Sequence, residues 1–208
     1  MPLGEAKGMV IKMIEHKKKE YGYTTMDVVM IAVIGVVFAI LFWAYNQMFA
    51  FIFPFISASP ITIQAFVGFW FIAGIVSGCI VQKPGAAFLG EFIAAVISML
   101  LGSIWGVWVI VSGIMQGLGV EAVFAAYRYK KFTYFTVALA GIFTAVISFF
   151  FPEAVTEGFL AYRLPIIVGM LVVRMASGAL LGGALGKFIT DSVAKTGILR
   201  NFKVGKAR

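Results

Sequence analysis

Glu91, Glu121 and Arg174 fall inside long apolar stretches, where a chain tolerates ionisable groups only if it uses them. At mid-bilayer depth such a group costs on the order of a few kcal/mol, so it faces the protein interior and takes a partner. Glu91 lies six residues past Gly85, and Glu121 six before Tyr127. At 1.5 Å per residue both sit ~9 Å from the nearer break in their segments, and Arg174 lies ~20 Å along its own helix from Lys187. Two chemistries fit. One is a structural Glu–Arg pair with the second glutamate near the headgroups. The other is an anionic pocket for a cationic or amine-bearing solute, where two acids against one base leave a charge for the solute to neutralise.

Aromatic and small polar residues extend both readings. Trp105 and Trp108 are three apart, Trp43, Tyr45 and Asn46 fall in the same stretch, and Trp70 lies in the next. Singly, such residues form the aromatic belts of membrane interfaces. Grouped beneath a Phe-rich loop (Phe49, Phe51, Phe53, Phe55), they suggest a ring-lined cavity with a lid. That cavity suits a flat solute, and a positively charged one would gain cation–π contact. Gln64, Ser112 and Gln116 add directional donors and acceptors, or serve as interhelical glue. The single cysteine, Cys79, and single histidine, His16, are too few for a zinc or Cys–His centre, so no cofactor is expected. No P-loop is present.

The elements that position these residues are membrane helices. The 208 residues have a mean hydropathy of +1.00, with 62% hydrophobic and 12% charged residues, against ~25% charged in soluble domains. The natural solvent is a lipid bilayer. Hydropathy and turn signals predict spans at 27–51, 62–81, 85–101, 104–127, 133–151 and 162–188, an all-α bundle of six helices. All of the 17 basic residues except Arg163 and Arg174 then fall on one face, which the positive-inside rule makes cytoplasmic together with both termini. The net charge of +8 therefore reports topology, not nucleic acid. The domain reading is a basic amphipathic N-terminal segment at 1–26, a membrane domain at 27–190 and a basic tail at 191–208. Met9–Ile14 suits an interfacial helix, and no cleavable signal peptide is expected. Glycines recur every four residues at Gly178, Gly182 and Gly186, and at Gly74/Gly78 and Gly113/Gly117, a spacing that lets helices approach closely. Ala32, Gly35 and Ala39 form a similar stripe on span 1, suited to the bundle or to a partner subunit.

Two stretches carry a family resemblance. They are Lys83-Pro84-Gly85-Ala86-Ala87-Phe88-Leu89-Gly90-Glu91, and Ser112-Gly113-Ile114-Met115-Gln116-Gly117-Leu118-Gly119-Val120-Glu121 followed by Phe124 and Tyr127-Arg128-Tyr129. With the size and span pattern, the chain resembles the YkoE-type S components, the substrate-binding membrane subunits of energy-coupling factor (ECF) transporters. The resemblance implies a prokaryotic plasma-membrane protein that is not an enzyme. It implies high-affinity binding of thiamin or its hydroxymethylpyrimidine precursor from outside, beneath the loop between spans 1 and 2. It also implies partnership with a transmembrane coupling subunit and two cytoplasmic ATPases, and toppling in the membrane to release substrate. Family members dock the coupling subunit with Ala-x-x-x-Ala on span 1; here Ala32 is followed by Val36. The expected substrate-binding residues are Glu91, Glu121, Trp105, Trp108, Tyr45, Asn46 and Gln116. Both glutamates read as lying in the cytoplasmic half, so either spans 3 and 4 have other boundaries, or the pocket is deep, or one of them is structural. The competing readings are a stand-alone carrier or channel for a small cation, an S component for another vitamin, and a structural subunit of a membrane complex.

Overall fold

The structure, a computed structural model, describes residues 22–57 and 59–206. The expected interfacial helix at Met9–Ile14, and His16, lie outside the described residues. Five helices are long and apolar enough to cross a membrane. They are α1 (Thr25–Ile56), α2 (Pro60–Val81), α4 (Trp108–Ala126), α5 (Tyr134–Thr156) and α6 (Leu164–Lys195). The stretch expected as span 3 forms α3 (Ala86–Leu100), apolar but only 15 residues long, ~22 Å at helical rise.

Three boundaries differ from the sequence reading. The Phe-rich loop is helix: α1 continues through Pro54 to Ile56, where the Ser57 N–H caps the Phe53 carbonyl at 2.8 Å. Phe51 and Phe55 therefore point outward while Phe49 is buried. Trp105 does not share a helix with Trp108, because Gly102 and Gly106 take positive φ (91° and 57°) and delay α4 to Trp108. Pro152 does not close α5. Phe151 leaves helical geometry (φ −152°, ψ 128°), and the chain resumes a helical turn at Ala154–Thr156. The chain after Lys195 also turns back, burying Leu199, Phe202 and Val204 against Ile31, Ile34 and Ile80.

Most of the small-residue spacing does its work inside the bundle. Gly178 of α6 meets Gly141 of α5 backbone to backbone, and a Cβ on either would collide with the other's carbonyl. Gly182 lies against Gly68, and Gly186 against Ile75. The stripe on α1 is divided. Gly35 and Ala39 are buried, Gly35 against Ile93, whereas Ala32 and Val36 are exposed.

Polar contacts tie one end of the bundle together. Lys83, between α2 and α3, donates to Asp27 at 2.6 Å and to the Gly22 carbonyl at 2.7 Å. Tyr23 donates to the Pro84 carbonyl at 2.8 Å. Asp27 and Thr24 complete a capping box at the start of α1. This basic end carries the turns after α2 and α4; the opposite end carries Glu153, Glu157 and Arg163.

Candidate functional site

The helices enclose a cavity of about 290 Å3 towards the end opposite the basic one. Local geometry explains each wall. On α1, Phe42, Phe49 and Phe53 recur at helical spacing. In α2, residues Gln64–Phe71 wind as a 3-10 helix, so Gln64, Val67 and Trp70 eclipse one another and all three line the cavity. On α3, Glu91 and Ala95 are one turn apart. On α4, Trp108, Ser112 and Gln116 recur every four residues, and Trp105 joins them from the preceding turn. The bent end of α5 and the turn after it bring Glu153, Thr156, Glu157, Phe159 and Tyr162 to the rim, and α6 supplies Arg174.

The rings form a cluster. Trp70 stands edge-on to Trp105, with centroids 6.4 Å apart and planes at 87°, and Phe49 contacts both. Trp70 is held from behind. Its Nε1–H donates to the Asn46 Oδ1 at 3.0 Å, and the Asn46 amide donates to Ser103 at 3.3 Å. Tyr45 donates to the Phe66 carbonyl at 2.9 Å and stacks on Phe69 at 4.3 Å. Asn46 and Tyr45 thus orient the wall and do not line the cavity.

The charged groups divide unequally. Arg174 is wholly buried. It pairs with Glu153 at 2.6 Å, donates to Gln64 and Ser148 at 2.9 Å each, and lies 5.9 Å from the Phe149 ring centre. Its Nε–H has no acceptor among the described residues. The expected pairing of Arg174 with Glu91 or Glu121 gives way to Glu153, which the bend at Phe151 carries inward. Glu91 is 1% exposed and accepts one hydrogen bond, from the Gly74 N–H at 2.7 Å. Gly74 lies just past the point where the 3-10 part of α2 passes into α-helix, and its N–H turns to the Glu91 carboxylate. A Cβ there would stand 3.3 Å from the Glu91 carboxylate. Glu157 is exposed at the rim. Partial loss of hydration at the rim, then the Glu153 charge, holds its carboxyl above the ordinary range. Among the described residues no cationic side chain pairs with Glu91 or Glu157.

Glu121 stands apart from the cavity. Its carboxylate accepts from the Gly85, Ala87 and Phe88 N–H groups at 2.6, 3.1 and 3.2 Å, and from the Tyr129 hydroxyl at 2.7 Å. It caps the N-terminus of α3 at the basic end, and its oxygens are occupied. Of the seven residues read as binding substrate, four line the cavity (Glu91, Trp105, Trp108 and Gln116), two brace its wall (Tyr45 and Asn46), and Glu121 lies outside it, against the start of α3. Glu153 and Glu157 were missed as site residues. The available signal was two acids four residues apart, followed by Phe159 and Tyr162, in a chain with only nine acidic residues.

Comparison with known proteins places this arrangement. A protein-family profile described as the permease component of an ABC-type cobalt transport system matches residues 26–147. A Bacillus subtilis (strain 168) protein named HMP/thiamine permease protein YkoE is 41% identical over 183 residues, covering 86% of this chain and 89% of that protein. A crystal structure of an S component of an ECF transporter superposes with a TM-score of 0.85 at 38% identity, covering 89% of this chain and 93% of the other. The chain belongs to the YkoE family and has the fold of an ECF-transporter S component.

Proposed function

We propose that this protein is the membrane subunit that captures thiamin or its hydroxymethylpyrimidine precursor and delivers it to an ECF coupling subunit driven by two ATPase subunits. The observation that carries the ligand reading is the chemistry of the cavity. Its aromatic walls contain three carboxylates and one guanidinium, and that guanidinium is already paired with Glu153. An aminopyrimidine supplies flat surface for the tryptophans and N–H donors for Glu91, and a thiazolium supplies positive charge. The cavity is near the low end of the ~300–1,000 Å3 of small-molecule sites, a size for two linked rings. A metal cargo fits less well. Among the described residues no three His, Cys, Asp or Glu side chains group as metal ligands.

Orientation follows from charge. With the basic end in the cytoplasm of a prokaryote, the rim with Glu153 and Glu157 opens outside and Glu91 forms the floor of a deep pocket. The exposed side of α1 around Ala32 and Val36 is then the face offered to the coupling subunit.

The test is a titration of the purified, detergent-solubilised protein with thiamin, followed by intrinsic tryptophan fluorescence, with hydroxymethylpyrimidine and riboflavin as comparators. Saturable quenching by thiamin or hydroxymethylpyrimidine in the sub-micromolar range, with no response to riboflavin, is the expected outcome. The absence of heat and quenching with both pyrimidines would remove the ligand reading. Uptake of thiamin by vesicles holding this subunit alone would replace the S-component mechanism with a stand-alone carrier.

A further inference from the structure

The two ends of the cavity differ in their access to water. At the floor, Glu91 is buried, with the Gly74 N–H as its one hydrogen-bond partner, and Gln116 beside it is nearly buried. At the rim, Arg174 and Glu153 cancel each other, and Glu157 adds a carboxylate with no cationic partner among the described residues. A second observation marks the cavity as a ligand site. The buried Nε–H of Arg174, in a residue that lines the cavity, has no acceptor among the described residues. Such a donor suits a neutral acceptor on the ligand, such as a hydroxyl, and leaves the cation to the carboxylates.

Desolvation decides which end suits which group. A quaternary cation makes no N–H bond, so at the floor it would shed its hydration for a single contact with Glu91. At the rim it keeps part of its water while meeting Glu157 and the faces of Trp105 and Trp108. A neutral aminopyrimidine suits the floor, where its amine donates to Glu91. Thiamin carries both groups, joined by one methylene; hydroxymethylpyrimidine carries the pyrimidine alone.

We infer that Glu157 is the specificity-determining residue that holds the permanent positive charge of thiamin at the rim, while Glu91 reads the pyrimidine common to both ligands. This rests on the ligand reading given under Proposed function, and one experiment separates the two. Thiamin and hydroxymethylpyrimidine are titrated by calorimetry into the wild-type protein and into Glu157→Gln, Glu157→Asp and Glu91→Gln variants, at low and high salt. Glu157→Gln lowers thiamin affinity about tenfold and leaves hydroxymethylpyrimidine within about twofold, Glu157→Asp restores most of the loss, and Glu91→Gln weakens both ligands. Added salt weakens thiamin binding in the wild type and less so in Glu157→Gln. Because Glu157 is exposed, its variants keep the wild-type melting temperature. Equal loss of both ligands in Glu157→Gln, or no loss of thiamin, overturns the assignment while leaving the ligand reading intact. Failure of the wild type to bind either ligand overturns the ligand reading itself.

Discussion

Glu91 and Glu121 sit on adjacent helices about one turn apart, since Gly117, one turn before Glu121, lies against the Glu91 side chain. Each reaches from one helix to the backbone of a neighbour, Glu91 to the Gly74 N–H inside α2 and Glu121 to Gly85, Ala87 and Phe88 at the start of α3. They differ in what is left over. Glu121 spends its carboxylate on three backbone N–H groups and a tyrosine, in a region where Asp27 and Lys83 are also paired. Glu91 accepts one bond and faces a cavity. Glu121 and the Asp27–Lys83 pair join helices at the basic end. The cavity holds two carboxylates, Glu91 and Glu157, that no cationic side chain among the described residues pairs with, which suits taking up a cation.

That contrast is most easily broken at Glu121. Glu121→Ala removes the acceptor for four donors, three of them at a helix N-terminus. The expected loss is about 3 kcal/mol of stability, read as a lower melting temperature in detergent, with ligand affinity below that temperature unchanged. A fall in affinity without a fall in stability would return Glu121 to the site.

Glu91→Gln should do the reverse. The amide oxygen still accepts from Gly74, so stability changes little. The amide NH2, however, presents donors to a ligand that is itself a donor, and affinity should drop about a hundredfold, ~2.7 kcal/mol. Calorimetry on the variant, paired with a melting curve, separates the two effects.

These differences explain what was legible in the sequence. The all-helical membrane bundle followed from apolar length, because that reports the bilayer directly. The aromatic walls followed from grouping. Glu91 and Glu121 were not separable, because counting residues along a helix gives the depth of a backbone position and says nothing of which neighbouring backbone its side chain will meet. The span expected at 133–151 stops short of Glu153. The chain bends at Phe151 instead and resumes helical geometry, delivering Glu153 to Arg174. Trp70 was seen but its alignment with Gln64 was not, since that alignment exists only at the three-residue period of a 3-10 helix.

Asn46 tests the wall that the tryptophans form. Asn46→Leu leaves the Trp70 indole N–H without its acceptor and frees Ser103. Trp70 should then lose its fixed orientation, with thiamin affinity falling about tenfold and the tryptophan emission shifting before any ligand is added. Unchanged emission and affinity would mean that the contacts of Phe49 and Tyr45 alone hold the ring.

Lys83 gives the smallest effect and the sharpest control. Lys83→Met breaks the pair with Asp27 and the bond to the Gly22 carbonyl, both at the basic end. Asp27 keeps its capping bonds from the Thr24 N–H and hydroxyl, so it is not stranded. For a partly exposed pair the expected cost is about 1 kcal/mol, a shift of a few degrees in melting temperature. Because the joint and the cavity lie at opposite ends, thiamin affinity should stay within about twofold of wild type. A larger loss would show that the basic end does more than join helices. Its clasp would then set the spacing of α1 and α3, the helices that carry Phe42 and Glu91, and the two regions would be coupled.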